Sequence, residues 1–129
     1  MTPNPQHILL LIDDNPLLRG MYEAAFAQRG LKVFFAHDGE SGIKIAKEKK
    51  PHVILLDLLM PGIDGFEVLK RLKEDQDTKN IKVVILTIIS DQRHRKKAET
   101  LGAHDYLIKS ELKLNEIVEK VMKHFPESK

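Results

Sequence analysis

Four places in this 129-residue chain set a reactive side chain directly after a strand-like apolar run. Asp13 and Asp14 follow HILLLI, Asp57 follows HVILL, Thr87 closes IKVVIL, and Lys109 closes the segment from Ala103 to Ile108. Alone, Asp57 is as consistent with a turn cap as with a reactive group, because Asp is common after strands. The other residues supply its partners. Three carboxylates close together repel one another unless protonated or bound to cations. Oxygen ligands without cysteine or a histidine cluster favour a hard ion, Mg²⁺ or Mn²⁺. A lysine and a hydroxyl beside such an ion form a cradle for phosphoryl oxygens. Asp57 is the natural nucleophile, since carboxylates form aspartyl phosphates.

The chemistry requires these side chains to meet, and the order of elements predicts how. His7 to Ile12 reads as a strand, and Asn15 then Pro16 as a helix cap and first turn. Leu17, Leu18, Met21 and Ala25 stand at helical spacing before Gly30. Leu31 to Ala36 is a second strand. Asp38 opens a helix through Ile43 and Ala46 that Pro51 bars from continuing. After the strand ending in Asp57, Asp64 and Glu67 have capping-box spacing, and Ile63 and Val68 that of a hydrophobic staple. Ser90 or Asp91 caps a helix offering little beyond Ala98 and Leu101 for burial, a weakly anchored element. The last helix carries Leu114, Ile117, Val118, Val121 and Phe125, and ends at Pro126.

Strand and helix alternate five times, which predicts an α/β fold: a doubly wound five-stranded parallel sheet with helices on both faces. All C-terminal strand ends of such a sheet share one edge, and ligands bind there. Residues 1–6 read as a flexible tail, 7–125 as one domain and 126–129 as a C-terminal tail.

Composition narrows the classes. The absence of cysteine excludes a disulfide framework, a thiolate metal site and a cysteine nucleophile. The start MTPNPQ is neither a signal peptide nor a membrane span, so the chain reads as soluble and cytoplasmic. A net charge of +2 with 31% charged residues of both signs describes a solvated surface rather than a nucleic-acid footprint. The basic run RHRKK at 93–97 reads as a solvated helix face, since no aromatic interleaves it for base stacking. His94 and His104 read as surface residues rather than ligands.

The acid pair in LLIDDN, Asp57 followed by MPGIDG, the threonine closing IKVVILT and the lysine closing YLIK together resemble the response regulator receiver domains of two-component signalling. The resemblance runs from about His7 to Phe125. It implies a CheY-like phosphoacceptor rather than an enzyme, in which Asp57 takes a phosphoryl group from a phosphohistidine on a histidine kinase or phosphotransfer protein. Asp14, Asp57 and the Leu59 carbonyl would bind Mg²⁺, with Asp13 helping directly or through water. Lys109 would pair with the phosphoryl oxygens and Thr87 would move towards them. Tyr106 would be the aromatic that turns inward with the threonine; on the residues alone it is a half-exposed strand position whose hydroxyl faces water. The face of the fourth helix, fifth strand and fifth helix would dock an output partner. No output domain is present, so the chain acts alone by docking or as one domain of a longer protein.

Three departures stand out. Ser110 follows Lys109 where the family usually has proline with a cis bond. Ile88 follows Thr87 where a small residue is usual, and Leu59 and Ile89 are apolar where the family is often polar. Two other readings share parts of this pattern. A flavodoxin-type binding module shares the sheet but needs a hydroxyl- and glycine-rich loop where this chain has DDNP. A haloacid-dehalogenase-like phosphatase also uses an aspartyl nucleophile with Mg²⁺, normally at the first strand.

Overall fold

The computed structural model describes residues 7–126. The expected tail at 1–6, and 127–129 of the expected C-terminal tail, lie outside the described residues. Within them, β1 (Ile8–Ile12), α1 (Pro16–Ala27), β2 (Lys32–Ala36), α2 (Gly39–Lys49) and β3 (Val53–Leu56) are followed by α3 (Gly65–Glu74) and β4 (Lys82–Thr87). Then come α4 (Gln92–Thr100), β5 (Asp105–Ile108), a short 3-10 turn at Lys109–Glu111 and α5 (Leu114–Met122). The strands form one parallel sheet in the order β2-β1-β3-β4-β5. This is the doubly wound flavodoxin-like arrangement the alternation predicts.

Successive strand residues point to opposite faces, so a strand buried on both must be apolar throughout. Leu10, Ile12, Ile54, Leu56, Val83 and Ile85 meet Val68, Leu69 and Leu72 of α3 and Ala46 of α2 on one face. Leu9, Leu11, Val53, Leu55, Val84 and Leu86 meet Tyr22 and Phe26 of α1 and Ile117, Val118 and Val121 of α5 on the other. On α1, Leu18 and Ala25 of the expected apolar positions pack against the core with Tyr22 and Phe26, while Leu17 is 86% exposed and Met21 is exposed too. Likewise α5 stops at Met122, and Phe125 reaches the core from the turn beyond it. α4 is as weakly anchored as expected, with Ala98 its one buried residue.

Polar caps fix the helix starts. Asn15, Asp38, Asp64 and Asp91 each accept a backbone N–H from the first turn of the following helix. The Asp64–Glu67 box is half made, because Asp64 Oδ1 accepts the Glu67 N–H while the Glu67 carboxylate takes Arg71 Nε instead. Ile63 and Val68 do meet, both lying against the place where a side chain on Gly39 would stand.

Gly65 decides how close α3 sits to the end of β3. A Cβ there would lie 2.5 Å from the Asp57 carbonyl oxygen and 2.6 Å from Leu58 Cα. Both obstacles are backbone and cannot swing away. Gly65→Ala should therefore lower stability by about 1–3 kcal/mol, outweighing the helical preference of alanine, worth about 0.5–1 kcal/mol. Denaturant unfolding at neutral pH checks this; a midpoint at or above that of the parent chain would contradict the close packing.

Candidate functional site

The parallel sheet brings four strand ends to one rim. Asp13 follows β1, its N–H donating to the Ala36 carbonyl at 3.1 Å. Asp57 follows β3, its N–H donating to the Ile12 carbonyl at 3.0 Å. Both carboxylates are buried, and Asp57 is 7% exposed. Asp14 is exposed beside them. One carboxylate oxygen from each of the three acids lies within 4.8 Å of the other two.

Lys109 compensates the buried pair. Its Nζ donates to Asp13 Oδ2 at 2.9 Å and to Asp57 Oδ2 at 3.3 Å. Asp13 Oδ1 also accepts the Asn15 N–H at 2.9 Å, and Asp57 Oδ1 the Leu59 N–H at 3.2 Å. Burial pushes the Asp57 carboxyl above its ordinary value, and the ammonium of Lys109 and the Leu59 N–H offset only part of that. For Lys109 burial acts downward, yet the Asp13 hydrogen bond and the charges of Asp57 and Asp13 outweigh it and hold the ammonium above its usual value.

Of the five residues expected at the rim, Asp13, Asp14, Asp57 and Lys109 are brought together, while the Thr87 hydroxyl is engaged with the Ile89 N–H instead. The donor set of three carboxylates without sulfur or imidazole suits a hard divalent cation. Leu59 contributes its N–H to Asp57, and its side chain is 48% exposed. Among the described residues no peptide bond is cis, so Lys109–Ser110 is trans and leads straight into the 3-10 turn.

Thr87 and Tyr106 converge on one residue, Ile89. Thr87 is fully buried, and its Oγ1 accepts the Ile89 N–H at 3.4 Å. Tyr106 is buried rather than half-exposed, and its hydroxyl donates to the Ile89 carbonyl at 2.8 Å. Arg95 of α4 stands over the Tyr106 ring at 5.0 Å, and Lys97 over the Phe66 ring at 4.5 Å. The basic run is therefore partly engaged with aromatic faces rather than wholly solvated. Ile88 is 61% exposed.

The sequence reading missed Tyr22. It is buried on α1, and its phenol is raised first by burial, with Lys109 opposing and the charges of Asp13 and Asp57 reinforcing the rise. The charges of the acid cluster thus reach a phenol on α1 that strand ends alone do not disclose.

Opposite effects follow for the two buried acids. A carboxyl whose folded pKa is raised favours the fold below its unfolded value and loses that contribution as pH rises through the folded one. Asp57→Asn should therefore raise Tm at neutral pH by a few degrees, with the gain vanishing in acid. Asp13→Asn weakens a charge-assisted bond to a half-buried ammonium and should cost about 1–3 kcal/mol. Thermal unfolding at neutral and acidic pH checks both signs.

A family model for the response regulator receiver domain matches residues 9–122. Protein PilH of Pseudomonas aeruginosa is 34% identical over 101 residues, covering 78% of this chain and 84% of PilH. The transcriptional regulatory protein AfsQ1 of Streptomyces coelicolor is 37% identical over 101 residues, 78% of this chain but 44% of its own length. The chain thus spans most of the one relative and less than half of the other. Among solved structures, a putative response regulator from Chloroflexus aurantiacus superposes with a TM-score of 0.85 at 30% identity, covering 93% of this chain and 98% of that one. The chemotaxis protein CheY4 of Vibrio cholerae superposes at 0.87 with 22% identity, covering 94% and 100%, a likeness of fold. The buried acid pair bridged by lysine at the rim of a 2-1-3-4-5 sheet, and a family match over nearly the whole described chain, set aside the flavodoxin-type and phosphatase readings: the chain belongs to the response regulator receiver domains.

Proposed function

We propose that this receiver domain is a phosphoacceptor switch in which Asp57 takes a phosphoryl group from a phosphohistidine on a histidine kinase or phosphotransfer protein. The observation that carries this reading is the Lys109 ammonium lying between Asp13 and Asp57, a cation already seated where phosphoryl oxygens would arrive. An Asp57 carboxylate oxygen attacks phosphorus, the phosphorus–nitrogen bond breaks, and its electron pair leaves with the imidazole. The Leu59 N–H on Asp57 Oδ1 and Lys109 on Oδ2 fix the carboxylate orientation before attack. Asp13, Asp14, Asp57 and the Leu59 carbonyl would hold Mg²⁺ or Mn²⁺, which neutralises charge on the transferring group. The chain takes part in its own phosphotransfer and loss of phosphate but is otherwise a signalling module, not an enzyme.

Once the phosphoryl group is present, Thr87 turns its hydroxyl towards it and gives up the Ile89 N–H. Tyr106 holds the same residue by its carbonyl, so the 88–91 segment and the start of α4 shift together. The face of α4, β5 and α5 then changes for an output partner. No nucleic-acid or membrane contact is part of this reading; no helix among the described residues is long and apolar enough to cross a membrane.

Incubation with a small phosphodonor and Mg²⁺ should give hydroxylamine-sensitive labelling that Asp57→Asn abolishes; labelling that survives in this variant moves the acceptor elsewhere. Mg²⁺ alone should raise Tm in a concentration-dependent way, and Asp14→Ala should diminish the rise.

The lifetime of the phosphorylated form follows from the apolar residues at the rim. Hydrolysis needs a water in line behind the phosphorus–oxygen bond, and neither the exposed Leu59 nor the exposed Ile88 can orient one. Ile89 is partly buried and packs against the core. Leu59→Asn restores a polar group worth roughly 1–3 kcal/mol and should speed loss of phosphate about tenfold to a hundredfold. An unchanged rate in this variant would show that Leu59 does not set the lifetime.

A further inference from the structure

The sheet edge opposite Asp57 carries His7, His52, His104 and His124, none of which enters the phosphoryl site. Two of them make the same arrangement at different strand pairs. His52 immediately precedes β3; its N–H donates to the Ile8 carbonyl at 2.9 Å, and its Nδ1 accepts the Ile8 N–H at 3.0 Å. His104 immediately precedes β5; its N–H donates to the Val83 carbonyl at 2.8 Å, and its Nδ1 accepts the Val83 N–H at 3.2 Å. In each case the imidazole does what a strand carbonyl would do.

An imidazole nitrogen accepts only while it is unprotonated, so both rings must carry their proton on Nε2. Protonation turns Nδ1 into a donor that faces another donor. We propose that His52 and His104 form an acid-sensitive latch: neutral, they fasten β1 to β3 and β4 to β5 at the N-terminal edge, and protonated they release both.

Burial and neighbouring positive charge favour the neutral rings. Burial holds the His52 imidazole below its ordinary value, and the His7 ring, 5.0 Å away between centroids, adds to this. Burial likewise lowers His104, with Lys73 of α3, His124 and Lys82 of β4 reinforcing it. An open cleft brings Lys50, Lys82, His124 and the acidic Asp77 alongside His52, so protons reach it from solvent. His124 differs in kind: its Nε2 lies 3.1 Å from Asp105 Oδ2, a carboxylate rather than a strand N–H. His104 is the more exposed of the two latch residues. With folded values below unfolded ones, the stabilisation is complete above the ordinary histidine pKa of about 6.5 and declines as pH falls beneath it.

The test compares the chain with the His52→Asn, His104→Asn double variant, in which a side-chain oxygen on the same carbon accepts without titrating. Between about pH 7.5 and pH 5, Tm of the parent should fall, and the double variant should lose most of that dependence. His124→Gln should retain it. Hydrogen exchange on the parent chain gives a second readout. Protection of the Ile8 and Val83 amides should fall on the order of tenfold per pH unit in the acid range, while Leu10 and Ile85 in mid-strand remain protected. A double variant as acid-sensitive as the parent, or parent amides at Ile8 and Val83 still protected at the acid end, would overturn the latch. If the double variant fails to fold, the exchange profile of the parent decides alone.

Discussion

One ammonium group holds the functional rim together. Lys109 leaves the end of β5, an outer strand, and reaches across the end of β4 to oxygens on β3 and β1. Adjacent strands lie about 4.8 Å apart, so only a long flexible side chain bridges such a span. The two carboxylates it joins are buried, and buried like charges are tolerated only when paired. Removing the lysine would leave two desolvated anions side by side. The pairing is not a device for stability, because burial still raises Asp57 above its ordinary value. A well-packed apolar cluster would serve the fold better, and the rim keeps its charges for what they do together.

The rest of the architecture serves that rim. Carboxylates stand at one edge only if the strands run parallel, and parallel strands need helices on both faces. That requirement explains the near-continuous apolar runs and the two separate cores, one beneath α2 and α3 and one beneath α1 and α5. It also explains why α4 escapes strong burial. Its basic residues attach through aromatic faces on Phe66 and Tyr106 instead of through an apolar stripe. Contacts of that kind slide more readily than interdigitated side chains, which suits an element next to Thr87 and Ile89.

How much was legible in the sequence depended on the range of the interaction. Strands ending in Asp13, Asp57, Thr87 and Lys109 were readable because the period-2 burial of a parallel sheet leaves an apolar run with one polar end. The caps at Asn15, Asp38, Asp64 and Asp91 were readable because capping is local. On α1 the sequence is ambiguous, because PLLRGMYEAAFA offers two apolar stripes and only tertiary packing selects Tyr22 and Phe26 over Leu17 and Met21. Phe125 continues the α5 stripe in sequence yet lies beyond the helix, because burial at helical spacing does not require a helix. The histidine acceptors at His52 and His104 left no signal, since a ring nitrogen standing in for a carbonyl depends on strand register.

The two ends of the sheet follow from the same register. Each strand begins at an edge where an N–H needs an acceptor and ends at an edge where a side chain is free to act. At the first edge imidazoles meet the need, and at the second Asp13, Asp57 and Lys109 answer one another. Between the rim and α4 lies Ile89, whose N–H is held by Thr87 and whose carbonyl is held by Tyr106. Both hydroxyls grip the same residue. That residue sits just ahead of α4, of which Ala98 is the one buried residue.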